Sequence, residues 1–159
     1  MSYIEVNGEV DEKFLSLAKQ VAEEVIKFMG FSERLEVAID YVSEEEIQSL
    51  NAEFRNVDRV TDVLSFPSFD IVAGEKFDEN SIEAQMSVSE NGFIHFGDMA
   101  LCFEQTKRQA AEYGVTVEDE IKKLVIHSML HLMGYDHIED DDYEIMNKKE
   151  NELSEKIKI

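Results

Sequence analysis

The chain has 159 residues, of which 43% are apolar, and it carries 36 acidic against 15 basic side chains. This length suits a single domain over residues 1–159, and the composition is typical of a globular fold. The net charge of −21 is unfavourable for binding nucleic acid, because at long range it repels a polyphosphate, but it leaves room for a local basic pocket that binds one phosphate.

The sequence favours a cytoplasmic protein with no membrane partner. No stretch approaches the run of about 20 apolar residues that crosses a bilayer. The first ten residues, MSYIEVNGEV, lack the apolar core of a signal peptide. Cys102 is the only cysteine, so no internal disulfide forms and a reducing compartment is expected.

Apolar periodicity predicts strands and helices that alternate in the first half of the chain and helices that dominate its end. The predicted fold class is therefore α/β or α+β, with a small mixed sheet of about four strands packed with about five helices. In chain order we predict a strand at 3–6, a helix at 10–29, a strand at 35–42, a helix from its cap Ser43 to Arg55, strands at 62–66 and 94–103, a helix at 104–113, a long helix capped by Thr116, and a helix at 140–156.

Residues 68–92 form a long acidic stretch without clear periodicity. A gap of this length is either a mobile cover over a site or a disordered segment. Disorder is the favoured interpretation.

Residues 127–137 read HSMLHLMGYDH and contain three of the four histidines of the chain. His127 and His131 are four residues apart, so a helix projects them from one face. Gly134 suits a left-handed turn at the helix end, which lets the chain double back and bring His137 toward the pair. Three imidazoles with an open fourth position are typical of a catalytic zinc site. We predict one zinc ion bound by His127, His131 and His137.

This spacing equals that of the metzincin peptidases, H-E-x-x-H-x-x-G-x-x-H, with one difference. Ser128 stands where those enzymes carry the glutamate that acts as general base. A neutral serine does not take a proton from metal-bound water as a carboxylate does. The sequence thus keeps the ligand pattern but lacks the peptidase base.

A second segment, residues 50–67, reads LNAEFRNVDRVTDVLSFP and holds two of the four arginines, Arg55 and Arg59. A guanidinium matches phosphate oxygens two at a time. From spacing alone, a surface salt bridge to a nearby carboxylate is the favoured interpretation of each arginine.

Together, the histidine motif and the L-N-x-x-x-R…T-D-V-L-S-F-P segment resemble the YbeY family, the bacterial endoribonucleases of ribosomal-RNA maturation. Further resemblance comes from Gly97-Asp98 before Met99-Ala100-Leu101, from residues 104–114, and from Met146 and Glu150 in the last helix. It covers residues 35–153. The chain departs from the family pattern at three positions. The family has glycine where this chain has Ser128, often proline where it has Val60, and commonly histidine where it has Val115.

The resemblance implies a mixed α/β domain with a metal-dependent activity on single-stranded RNA, connected with ribosomal-RNA trimming and ribosome quality control. It implies that His127, His131 and His137 are the zinc ligands, and that Arg55 is an essential residue near the metal. The catalytic residues expected are Arg55 and His127. Single-stranded or ribosomal RNA is the expected partner, with the ribosome or ribosomal proteins as further candidates.

Two alternatives stay open: a zincin-type peptidase or amidase, and a non-catalytic ribosome-associated protein in which zinc only joins a helix to a loop. Asp98 and Asp136 are the nearest candidate proton acceptors by sequence. For Asp136 we favour a role in orienting an imidazole or capping a turn. His95 is interpreted as a packed strand residue rather than a fourth ligand.

Overall fold

A computed structural model describes residues 2–136 and 139–158. The four strands are β1 (Tyr3–Asn7), β2 (Leu35–Val42), β3 (Val63–Pro67) and β4 (Ile94–Cys102). The six helices are α1 (Glu12–Phe28), α2 (Glu44–Arg55), α3 (Ile82–Met86), α4 (Phe103–Tyr113), α5 (Val117–Leu132) and α6 (Asp140–Lys156). None of these helices combines the length and apolarity needed to span a bilayer.

The strands form one mixed sheet in the order β1-β2-β4-β3. β1, β2 and β4 run parallel, and β3 pairs antiparallel with β4 at the edge. The predicted α/β class with a small mixed sheet is confirmed. Strand bounds agree with the prediction to within one residue at each end.

The two faces of the sheet support clusters of unequal size, because side chains alternate along a strand. On β4, Met99 and Leu101 belong to the large core shared with α1, α5 and α6. The alternate residues Ala100 and Cys102 pack against Ile47 of α2 in a small second cluster. The sheet is therefore covered on both faces.

Helix α5 lies inside the larger cluster. Its seven apolar core residues are at most 4% exposed, and each stabilises the fold by about 1.5–3 kcal/mol relative to an exposed position. They are Ile121, Leu124, Val125, Ile126, Met129, Leu130 and Leu132. The helix that carries the first two histidines of the motif is thus a fixed element of the core.

The long acidic segment is more ordered than the sequence suggests. Phe69, Ile71 and Phe77 pack against the large core, and the Phe69 and Phe77 rings lie 4.8 Å apart. It also contains α3, whose N-cap Ser81 accepts a hydrogen bond from the Ala84 amide. The favoured interpretation of disorder is wrong. The sequence does not predict α3, because five residues are too few to show a helical period.

Helix α5 ends in the left-handed turn that Gly134 predicts, with φ at +97°. The Gly134 amide donates to the His131 carbonyl, and the Tyr135 amide donates to the Leu130 carbonyl. This pair of bonds is the Schellman arrangement. A Cβ on Gly134 would lie 2.0 Å from the carbonyl oxygen of Ile71, which belongs to the acidic segment. The close approach of this segment is thus a second reason for glycine at position 134.

His95 connects neighbouring strands through its two ring nitrogens. Nδ1 lies 2.8 Å from Glu36 Oε2 on β2, and Nε2 lies 2.9 Å from Asp98 Oδ2. Glu36 also accepts hydrogen bonds from Ser89 and Asn91. Burial lowers the pKa of His95, but the hydrogen bonds to Asp98 and Glu36 outweigh it and raise the pKa above its ordinary value.

We expect Gly134→Ala to destabilise the protein more than Gly114→Ala. Both glycines have positive φ, so both substitutions incur backbone strain of about 1 kcal/mol or more. Only at Gly134 does the new Cβ also meet backbone, because nothing lies within 4 Å at Gly114. Urea unfolding of the two variants measures the difference, and equal losses would show that the contact with Ile71 is unimportant.

His95 should stabilise the fold more in acid than in base. A raised pKa in the folded state means that the contribution is complete below the ordinary histidine pKa of about 6.5 and is lost as pH rises through the folded-state value. The free energy of unfolding of wild type minus that of His95→Gln should therefore be larger at about pH 5.5 than at about pH 8.5. A difference that grows toward alkaline pH would contradict this assignment.

Candidate active site

The last turns of α5 place two imidazole rings against each other. The His127 and His131 ring centroids are 4.6 Å apart with an interplanar angle of 84°. Their Nε2 atoms lie 3.1 Å apart. The sequence predicts that residues four apart on a helix project from one face, and the two rings do converge from one face of α5.

Each ring is oriented by an acceptor at its Nδ1 atom. His127 Nδ1 lies 2.5 Å from Glu150 Oε1 of α6. His131 Nδ1 lies 2.9 Å from the Tyr135 carbonyl oxygen, just beyond the helix end. A carboxylate and a carbonyl only accept, so each Nδ1 carries its hydrogen and donates. In the neutral rings, the lone pair is then on Nε2, the atom directed at the shared point.

The two described imidazole nitrogens are spaced as two ligands of one zinc ion are. Zinc–nitrogen bonds of 2.0–2.1 Å at a tetrahedral angle place two ligand nitrogens about 3.3 Å apart, close to the 3.1 Å between the two Nε2 atoms. The third predicted ligand, His137, lies outside the described residues. Within residues 2–136 and 139–158, no three His, Cys, Asp or Glu side chains are grouped to hold a metal. The three-ligand set stays a prediction.

The two rings open onto a cleft of about 820 Å³. One wall is the whole of β3, the edge strand, and another comprises α5 and the turn after it. Asp62, Asp70, Asp136 and Glu150 contribute four carboxylates to the lining, against two permanent cations, Arg55 and Lys123. The described lining is therefore not basic, and the cleft shares the acidity of the chain.

Arg55 lies at the rim of this cleft as the last residue of α2. Arg34 and Arg108 pair with Glu79 and Glu44, whereas neither Arg55 nor Arg59 has an ion pair among the described residues. The salt-bridge interpretation is thus wrong for both arginines in this part of the chain. Arg55 is exposed. Its guanidinium is available to an anionic group in the cleft.

Ser128 is not part of the cleft lining. It is fully buried, and its Oγ lies 2.7 Å from Ser65 Oγ on β3. The residue that replaces the peptidase glutamate therefore joins α5 to the edge strand. Its role in this structure is to fix the helix against one wall of the cleft.

Of the two candidate proton acceptors, Asp136 and Asp98, only one lies at the cleft. Asp136 lines the cleft, as expected for a residue beside the ligands. Asp98 does not line it and instead bonds to His95. The interpretation of Asp98 as a proton acceptor of this site is wrong, whereas His95 is the packed strand residue that the sequence suggests.

Sequence reasoning gave no role to Glu150, the acceptor for His127. A signal was present, because Glu150 lies four residues after Met146 and three before Leu153, both of which are 2% exposed. This spacing places Glu150 on the inner face of α6. The Tyr135 carbonyl has no such signal, since every residue carries a backbone oxygen.

Comparison with known proteins extends the resemblance to nearly the whole chain. A family model described as Endoribonuclease YbeY matches residues 3–158. The protein named Endoribonuclease YbeY from Clostridium botulinum (strain Eklund 17B / Type B) is 38% identical over 147 residues, which cover 91% of this chain and 89% of that protein. The protein of the same name from Clostridium acetobutylicum is 37% identical over 146 residues, which cover 91% of this chain and 88% of that protein.

A solved structure supports the same grouping. The fold is similar to that of a Thermotoga maritima protein determined in solution, with a TM-score of 0.59 and 32% sequence identity, covering 96% of this chain and 87% of that one. The predicted enzyme class, a hydrolytic nuclease, is confirmed by the shared family. Since the match is continuous and the relatives are covered over 88–89% of their own length, this chain belongs to the YbeY family of endoribonucleases.

Proposed function

We propose that this protein is a zinc-dependent endoribonuclease specific for single strands, acting in the cytoplasm on small-subunit ribosomal RNA during its maturation and quality control. One zinc ion is held by His127, His131 and His137. The observation that carries the proposal is the convergence of the His127 and His131 Nε2 atoms in a cleft with Arg55 at its rim. The family supplies the ribonuclease class.

A zinc ion held by neutral imidazoles would lower the pKa of a bound water to about 7 and so would supply hydroxide near neutral pH. Glu150 and the Tyr135 carbonyl keep the imidazoles in the tautomer that such a site requires. This division of roles needs no carboxylate at position 128.

Arg55 binds the phosphate that undergoes cleavage. Its planar guanidinium donates to two phosphoryl oxygens at once, and it stabilises the negative charge that grows on them in the transition state. Because Arg55 has no competing carboxylate partner among the described residues, no ion pair is broken when the phosphate arrives.

The surroundings of Ser128 favour a nuclease over a zincin-type peptidase. Ser128 is buried and does not itself line the cleft, and its hydroxyl is engaged by that of Ser65, a residue of the cleft wall. A peptidase would need another residue to act as base at that position. A phosphodiester instead requires a cation at its oxygens, which Arg55 provides.

The ribosome is the proposed setting because the whole chain is acidic. A net charge of −21 repels free RNA at long range. A positively charged ribosomal protein beside the substrate offsets this repulsion, and substrate is then presented to the cleft at short range.

Arg55→Ala should retain zinc and lose cleavage of single-stranded RNA by about 100-fold or more, as expected for removal of a transition-state donor. His131→Ala should lose both zinc and activity. Arg59→Ala is the matched control, because Arg59 is also exposed and unpaired in the described part of the chain but does not line the cleft. Metal analysis and an RNA cleavage assay on the four identically purified proteins measure these effects.

Cleavage that persists unchanged in Arg55→Ala would indicate a contaminating nuclease or a different site. Degradation of casein with no effect on RNA would replace the nuclease with the peptidase. Bound zinc with neither activity would favour the alternative in which zinc only joins a helix to a loop.

A further inference from the structure

The rim of the cleft carries an aromatic ring that the core does not use. Phe54 precedes Arg55 at the end of α2 and lines the cleft, yet it is 58% exposed. Its ring contacts that of Phe66 on β3 in an edge-to-face arrangement, with centroids 5.1 Å apart. The contact with Phe66 holds the exposed ring in a fixed position beside the arginine.

The charges of the cleft make this ring important for substrate binding. The described lining has four carboxylates and two permanent cations, so even with the proposed zinc ion the cleft is about neutral and offers little of the counterion release that usually drives RNA binding. Arg55 holds one phosphate, but a single phosphate contact does not position a strand. A neutral attraction must therefore supply part of the affinity, and stacking on an aromatic side chain is such an attraction.

We propose that Phe54, supported by Phe66, stacks an unpaired nucleobase of the RNA whose phosphate is held by Arg55. This inference rests on the proposed function and adds the contact that orients the strand. Phe54 contacts the base and its neighbour Arg55 contacts the phosphate, so the nucleotide is held at both of its ends. Phe54 binds substrate and takes no part in the chemical step.

This contact also gives a physical reason for single-strand specificity. In a duplex, each base face is covered by its neighbours and an exposed ring reaches none of them. In a single strand, a base turns outward and stacks at little cost. Every base has a flat aromatic face, so the contact selects unpaired RNA without selecting its sequence.

A tryptophan at this position reports stacking directly, because the chain contains no tryptophan. Fluorescence of Phe54→Trp should be quenched when single-stranded oligouridylate is added. The signal is recorded immediately after mixing, before the strand is cleaved. The same strand annealed to oligoadenylate should quench several-fold less at equal concentration. Phe28→Trp is the matched control, since Phe28 is 43% exposed and lies outside the cleft lining. It should not respond to either RNA.

Kinetics provide the second readout. Loss of one stacked base raises KM by about 10-fold in Phe54→Leu, which keeps an apolar side chain but lacks the flat ring, while kcat stays within about twofold. Phe28→Leu should match wild type in both. Phe54 is mostly exposed, so thermal unfolding of Phe54→Leu should differ little from wild type.

The outcomes separate this inference from the proposed function. Wild type that cleaves RNA, with no quenching in Phe54→Trp and an unchanged KM in Phe54→Leu, overturns the stacking contact alone. Equal quenching by duplex and single strand also overturns it. Wild type that cleaves no RNA overturns the proposed function, whereas quenching by the single strand still supports a base-stacking site.

Discussion

The two hydrogen bonds at the Nδ1 atoms of His127 and His131 determine what the cleft is able to do. An imidazole that is unconstrained at Nδ1 rotates about its side-chain bonds and exchanges its proton between the two nitrogens. Here Glu150 holds one ring and the Tyr135 carbonyl holds the other, at 2.5 and 2.9 Å. When both rings are neutral, these two bonds place a lone pair on each Nε2 atom, and the two Nε2 atoms lie 3.1 Å apart. Two lone pairs at this distance suit a shared cation.

Much of the fold maintains these two contacts. The Tyr135 carbonyl reaches back to His131 because Gly134 reverses the chain, and Ile71 of the acidic segment packs where a side chain at Gly134 would lie. Glu150 reaches His127 because Met146 and Leu153 anchor α6 in the core. Elements far apart in sequence thus meet at one pair of rings. Phe54 and Arg55, at the end of α2, line the same cleft.

The sequence predicts the regular elements well where a repeating pattern is long. Strand β2 and helix α6 have the predicted bounds, because eight alternating residues and a helix of 17 residues each contain several periods. Helix α3 contains little more than one turn, and it was missed. The convergence of His127 and His131 follows from spacing within one helix, so it was predictable from sequence alone.

Contacts between distant segments were not predictable in the same way. Glu150 is 23 residues from His127, and its spacing from Met146 and Leu153 places it on the inner face of α6 without indicating which residue it meets there. Ser65 and Ser128 are 63 residues apart, and neither hydroxyl indicates the other. The absence of an ion pair at Arg55 among the described residues depends on where α2 ends relative to every acidic side chain. Asp98 shows the converse, since it belongs to the Gly97-Asp98 segment of the family resemblance and yet bonds to His95 outside the cleft.

The central claim is that the hydrogen bond from His127 to Glu150 prepares the pair of rings for zinc. Zinc affinity of Glu150→Ala, measured by competition with a chelator, tests it most directly, with Glu152→Ala as the control on the same helix. Glu152 pairs with Lys149 and Lys156 instead of a histidine. The account predicts that Glu150→Ala binds zinc about 10- to 100-fold more weakly while Glu152→Ala matches wild type. Equal affinity in all three proteins would contradict it.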